Sequence, residues 1–171
     1  MFFALWPDEA VVRSLHALSR RVHQSRHGRR TRRETLHLTV AFVGEVPRAR
    51  LDALIGVGDR VFRSSFAPFQ LLLERIATWR HNHITFIEPL QLPDTLRVFV
   101  DTLRAELERA GFATEKRHFA AHVTLLRKSD TGTGPEMIAP PIAWPVSGFV
   151  LVESQLGREG ARYRPLRAWT V

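Results

Sequence analysis

The chain has 171 residues, long enough for one well-buried domain and short for two ordinary ones. It contains no cysteine, which excludes disulfides, thiol catalysis and cysteine-ligated zinc. No apolar run approaches the roughly 18–20 residues of a membrane-spanning helix. Lys and Arg number 25 against 17 Asp and Glu, a net charge of +8, and only Lys116 and Lys128 are lysines. Such an arginine-dominated excess suits planar, bidentate contact with phosphate oxygens. A nucleic-acid partner is compatible with that composition, although an overall arginine bias alone accounts for it equally well.

Phe2–Trp6 reads as a short buried strand, and Pro7-Asp8-Glu9 as a helix start with acids in its first turn. Val11, Leu15, Leu18 and Val22 keep helical spacing to about His23. Ser25–Arg33 is a polar loop rich in arginine (Arg29, Arg30, Arg32, Arg33) that feeds a strand over Leu36–Val43. A second helix runs through Leu51, Leu54, Ile55, Val61 and Phe62, weakened by Gly56 and Gly58. Phe69–Ile76 and His83–Ile87 form a hairpin through Trp79–Asn82. Pro93 opens a helix that ends at Gly111, and a strand covers Ala120–Arg127. Ser129–Pro141, rich in Gly and Pro, reads as a loop. Two strands, about Val146–Ser154 and Tyr163–Val171, finish the chain. Helices and strands interleave with hairpin signals, so the fold class expected is α+β with largely antiparallel sheets, residues 1–171 forming one unit.

His37-Leu38-Thr39-Val40 returns 85 residues later as His122-Val123-Thr124-Leu125. On a strand, residues two apart share a face, so each His and Thr pair presents one chemical wall and each intervening Leu or Val faces a core. A single His-x-Thr is weak, because a lone histidine is more often structural. Two copies with the same apolar flanks are specific, and the six other histidines have no comparable context. Histidine titrates near pH 6.5, so one imidazole can take a proton from water while the other gives one to a departing oxygen. The hydroxyls of Thr39 and Thr124 can donate to non-bridging phosphate oxygens, and Arg127 is a further electrostatic contact. A zinc mechanism competes on paper. However, the partner residue in each motif is threonine rather than a carboxylate, and no His-Glu-x-x-His spacing occurs.

LHLTVAFVGEV (Leu36–Val46) and HFAAHVTLLRK (His118–Lys128) resemble the paired HxTx signatures of the two-histidine (2H) phosphoesterases. The branch resembled is the RNA 2',3'-cyclic phosphodiesterases, historically called 2'-5' RNA ligases. Phe2–Glu9, Trp79-Arg80 and the closing pattern Leu151…Ser154-Gln155-Leu156…Gly160…Tyr163…Leu166 extend the resemblance over nearly the whole chain. It implies a bilobal 2'-5' RNA ligase-like fold, with two mainly antiparallel sheets and outer helices around a central groove. It further implies His37 and His122 as the acid–base pair, with Thr39, Thr124 and Arg127 binding substrate. In the family the first histidine is usually cast as acid to the leaving 3'-oxygen and the second as base to water; spacing alone does not distinguish the two. No metal or other cofactor is implied.

One departure stands out: Ala121 precedes the second histidine where proline is usual. The function implied is hydrolysis of RNA 2',3'-cyclic phosphate ends to 2'-phosphates, tRNA fragments being one candidate source, with 2'-5' ligation as a side activity. A small cyclic phosphate such as a cyclic ADP-ribose phosphate is an alternative substrate. A non-catalytic RNA- or nucleotide-binding module is an alternative of another class. A cytoplasmic monomer with no membrane association is expected.

Overall fold

The computed structural model describes residues 1–171 except Lys116, Thr133, Arg158 and Glu159, together with the side chains of Leu156 and Gly160. Of the closing pattern, Leu156 and Gly160 are therefore described by their backbone alone. Strand β1 (Phe2–Leu5) leads into α1 (Glu9–Arg26), where the Asp8 carboxylate accepts from the Val11 N–H at 2.8 Å and caps the helix. A two-residue strand β2 (Arg29–Arg30) and a short 3-10 turn precede β3 (Leu38–Phe42). Helix α2 (Leu51–Ser64), β4 (Phe69–Trp79), β5 (Ile84–Glu88) and α3 (Asp94–Arg109) follow. The chain ends with β6 (Val123–Arg127), β7 (Glu136–Val146), β8 (Gly148–Gly157) and β9 (Gly160–Thr170).

Hydrogen-bonded strands run in the order β7-β4-β5-β6-β3-β1-β8-β9, with β2 added beside β6, and every pairing is antiparallel. The two sheets expected from the sequence are two halves of this ladder, four strands on the β3 side and five, counting β2, on the β6 side, joined between β3 and β6 by the single pair Leu38↔Val123. That seam lies between the two His-x-Thr motifs. The helices cover one face: Leu15 of α1, Leu54 and Val57 of α2, and Phe99 and Leu103 of α3 are fully buried, as are Leu38 and Val123 from the seam. A second, small apolar cluster of Phe2, Ala4 and Val152 lies apart from the main core, with Trp6, Val150 and Tyr163 packed against it.

Gly58, read as a weakness of α2, has a packing reason: a Cβ there would stand 2.3 Å from the Trp169 ring. Without it, the indole lies against the helix and donates to Asp59 at 2.7 Å. The sequence reading needs two corrections. Ser129–Pro141 is not a loop throughout, because β7 begins at Glu136. Its prolines are tolerated because β7 is the edge strand and because the register breaks between Leu73↔Ile142 and Arg75↔Met137, the stretch holding Pro140 and Pro141. Within the arginine loop, α1 continues to Arg26, and Arg29–Arg30 pairs with Leu126–Arg127 as β2.

Candidate active site

The strands carrying the two motifs begin one residue after each histidine, so His37 and His122 stand at the entrances to β3 and β6. Each ring is fixed in the same way. His37 Nδ1 lies 2.7 Å from the carbonyl of Thr35, and His122 Nδ1 lies 2.7 Å from the carbonyl of Ala120. A carbonyl only accepts, so Nδ1 carries the proton in both rings and Nε2 is the basic nitrogen. His122 keeps this bond with Ala121 in place of the usual proline, so the departure leaves the ring's anchor intact. The halves differ at Nε2, where the Thr39 hydroxyl donates to His37 at 3.1 Å.

Past each threonine the strand carries the same irregularity. Opposite β1 the register steps from Ala4↔Thr39 to Phe3↔Ala41, and opposite β5 it steps from Phe86↔Thr124 to Thr85↔Leu126. Val40 and Leu125 are therefore extra residues, and both are buried. Strict alternation would turn the third residue after the threonine to the core. The bulge instead returns Phe42 and Arg127 to the face that bears Thr39 and Thr124. All four line one groove of about 660 Å³, together with His37 and His122. The structure thus brings together all five site residues expected from the sequence. It adds Phe42, which the sequence reading passed over although it stands three residues past Thr39, as Arg127 does past Thr124.

Aromatic rings wall both histidines. Trp6 stacks on His37 at 5.5 Å between centroids, and Tyr163 meets it edge-on at 5.2 Å. Trp79 meets His122 edge-on at 4.6 Å, with Phe86 behind at 5.7 Å. Burial among these rings disfavours the imidazolium and pushes His37 down to about 4, with the Thr35 carbonyl opposing and the charges of His122 and Arg127 adding to the fall. His122 is lowered in the same way, chiefly by burial; the Ala120 carbonyl and Glu88 oppose the fall and Arg127 reinforces it. Both rings are neutral at pH 7, and Arg127 is close enough to act on both. Among the described residues, no group of three or more His, Cys, Asp or Glu side chains converges as a metal ligand set. No helix of the described chain is long and apolar enough to cross a membrane.

A family model described as "LigT like Phosphoesterase" matches residues 5–85, the half that contains the first motif. Over 84% of this chain and 80% of its own length, the RNA 2',3'-cyclic phosphodiesterase of Escherichia coli (strain K12) is 31% identical. The protein of the same name from Thermus thermophilus is 28% identical over 100% of this chain and 89% of its own length. Among solved structures, E. coli LigT complexed with 3'-AMP superposes with a TM-score of 0.87 at 26% identity, covering 99% of this chain and 96% of that one. That superposition takes in the second half of the sheet and the second motif as well as the first. With its α+β architecture and paired motifs, this chain belongs to the LigT-like phosphoesterase family.

Proposed function

We propose that the protein opens the 2',3'-cyclic phosphate at an RNA end to a 2'-phosphate, using His37 and His122 as a paired acid and base with no cofactor. The observation that carries this reading is the matched pair of half-sites. Two imidazoles, each anchored through Nδ1, share one groove with Thr39, Thr124 and Arg127. Both curated relatives bear the name of this activity.

The chemistry follows from the two Nε2 atoms. A cyclic phosphate in the groove brings a negative charge, which raises both imidazoles from their depressed values and allows one of them to hold a proton. One Nε2 accepts a proton from water as its oxygen attacks phosphorus; the other Nε2–H protonates the 3'-oxygen as its bond to phosphorus breaks. The 2'-ester remains, leaving a 2'-phosphate and a free 3'-hydroxyl. By analogy with the family, His37 is the acid and His122 the base. When His37 gains its proton, Nε2 no longer accepts from Thr39, and that hydroxyl is released to donate to a phosphate oxygen. Thr124 and Arg127 serve the opposite side, where charge grows in the transition state. The nearby cations and the substrate anion act in opposite directions on the histidines, so the proton is acquired with substrate rather than before it.

Both half-sites come from one chain, which fits a monomer of residues 1–171 acting as one two-lobed unit. The absence of cysteine fits a reducing compartment such as the cytoplasm. Joining of a cyclic end to a 5'-hydroxyl is the same chemistry with an RNA hydroxyl in place of water. The test is to incubate an oligoribonucleotide with a 2',3'-cyclic end in the presence of chelator and identify the product. A 2'-phosphate is expected. A 3'-phosphate overturns the assignment of the leaving oxygen, and an unchanged end overturns the reading.

A further inference from the structure

Beside the groove, the fold holds two arginines against each other with no acid between them. Arg29 of β2 is the direct cross-strand partner of Arg127 of β6. Opposed residues of an antiparallel pair share a face, so Arg29 lies on the face through which Arg127 reaches the groove. Like charges directly opposite are unfavourable. Neither arginine makes an ion pair with a carboxylate among the described residues, and both are exposed. On its other side Arg127 faces Ile84, an apolar residue. Arg29 is not among the residues that line the groove; it stands just outside the rim, one strand further on.

This placement is built in by the backbone. Gly28 has φ +81°, and a Cβ there would lie 2.7–2.8 Å from backbone atoms of Arg127, Lys128 and Ser129. The close approach is tied on both sides: Thr31 N–H donates to the Leu125 carbonyl at 2.9 Å, and Asp130 N–H to the Arg26 carbonyl at 2.7 Å. Behind it, buried Arg26 donates to the Thr78 hydroxyl at 2.9 Å and to the Gly134 carbonyl at 2.8 Å. Hydroxyl contacts continue from Thr78 to Thr85 at 2.8 Å and from Thr85 to Ser129 at 2.7 Å. A firmly anchored pair of uncompensated cations at the edge of a phosphate groove is suited to a second anion.

We propose that Arg29 binds the phosphodiester one nucleotide upstream of the cyclic end, which makes RNA ends of two or more nucleotides better substrates than cyclic mononucleotides. The inference rests on the RNA-end reading above and narrows it to an oligomeric substrate. A cyclic mononucleotide has only the phosphate held between the histidines. A dinucleotide with the same end carries one more phosphate, which Arg29 can contact while Arg127 serves the reacting group.

The test compares kcat/KM for a cyclic-ended mononucleotide and a cyclic-ended dinucleotide in wild type, Arg29→Gln and Arg29→Lys. Wild type is expected to favour the dinucleotide. Arg29→Gln should lower its kcat/KM roughly tenfold, the scale of one charge-assisted hydrogen bond, and leave the mononucleotide unchanged. Arg29→Lys should recover part of the loss. The slope of log kcat/KM against log salt for the dinucleotide should flatten by about 0.7 in Arg29→Gln, one phosphate contact on a single strand. An equal loss on both substrates, or none on either, overturns the inference while hydrolysis of the mononucleotide leaves the reaction standing. Failure of wild type to hydrolyse either substrate overturns both.

Discussion

Replacing His37 with Asn should remove a specific dependence of stability on pH. In the unfolded chain the imidazole takes its proton near 6.5, and in the folded protein only near 4. Between these values the unfolded state binds more protons, so stability falls as pH drops through the window and is unaffected by this group above it. Each pH unit below 6.5 is worth about 1.4 kcal/mol until the folded ring also protonates. At pH 5 the loss is about 2 kcal/mol, rising to about 3 kcal/mol near pH 4. Urea denaturation of wild type and His37→Asn at pH 7.5 and pH 5 measures this directly. Any constant effect of the substitution cancels in the comparison between the two pH values. The wild type should lose about 2 kcal/mol more than the variant on acidification. Identical losses, or an imidazole of His37 that titrates near 6.5 by NMR, would refute burial as the source of its neutral state.

Because both histidines are depressed in the free protein, kcat/KM should reach its maximum on the acid side of 6.5. The maximum in kcat should lie at higher pH, since bound phosphate raises both groups; initial rates across pH 4–9 report both, and coincident maxima would contradict this. Thr124→Val should lower kcat by about a hundredfold with KM little changed, as expected for a donor used mainly in the transition state; steady-state kinetics separate the two effects. Gly28→Ala forces a side chain onto a positive φ and into backbone contact. It should cost about 2 kcal/mol or more in a denaturation measurement.

The parts of this site legible in the sequence are those set by local pattern. The His-x-Thr pairs, their apolar flanks and the strand–helix order all follow from side-chain periodicity and caps, as at Asp8 of α1. What escaped depends on pairing between distant strands. Arg127 was legible as a basic residue three places past Thr124, but its position on the groove face requires the bulge at Leu125, visible only in the register with β5. Phe42 was missed for the same reason, since the matching bulge at Val40 shows only against β1. Strand β2 escaped because two consecutive arginines carry no apolar alternation; the conformation of Gly28 and the pairing with β6 make it a strand. The proline-rich start of β7 read as loop because edge position cannot be seen along a single chain. The depressed histidines likewise depend on burial among rings from the segment after β1, from β4, from β5 and from β9.

The central claim is that His37 and His122 act as one unit on a single phosphate. The most direct measurement is hydrolysis of a cyclic-ended oligoribonucleotide, in chelator, by His37→Ala, His122→Ala and the double variant, each shown to be folded. Each single substitution should lower kcat by roughly 10²–10⁴-fold, and the double should be little slower than the worse single, because neither group completes the reaction without the other. A single variant that retains most of the wild-type rate, or losses that multiply in the double, would contradict the account.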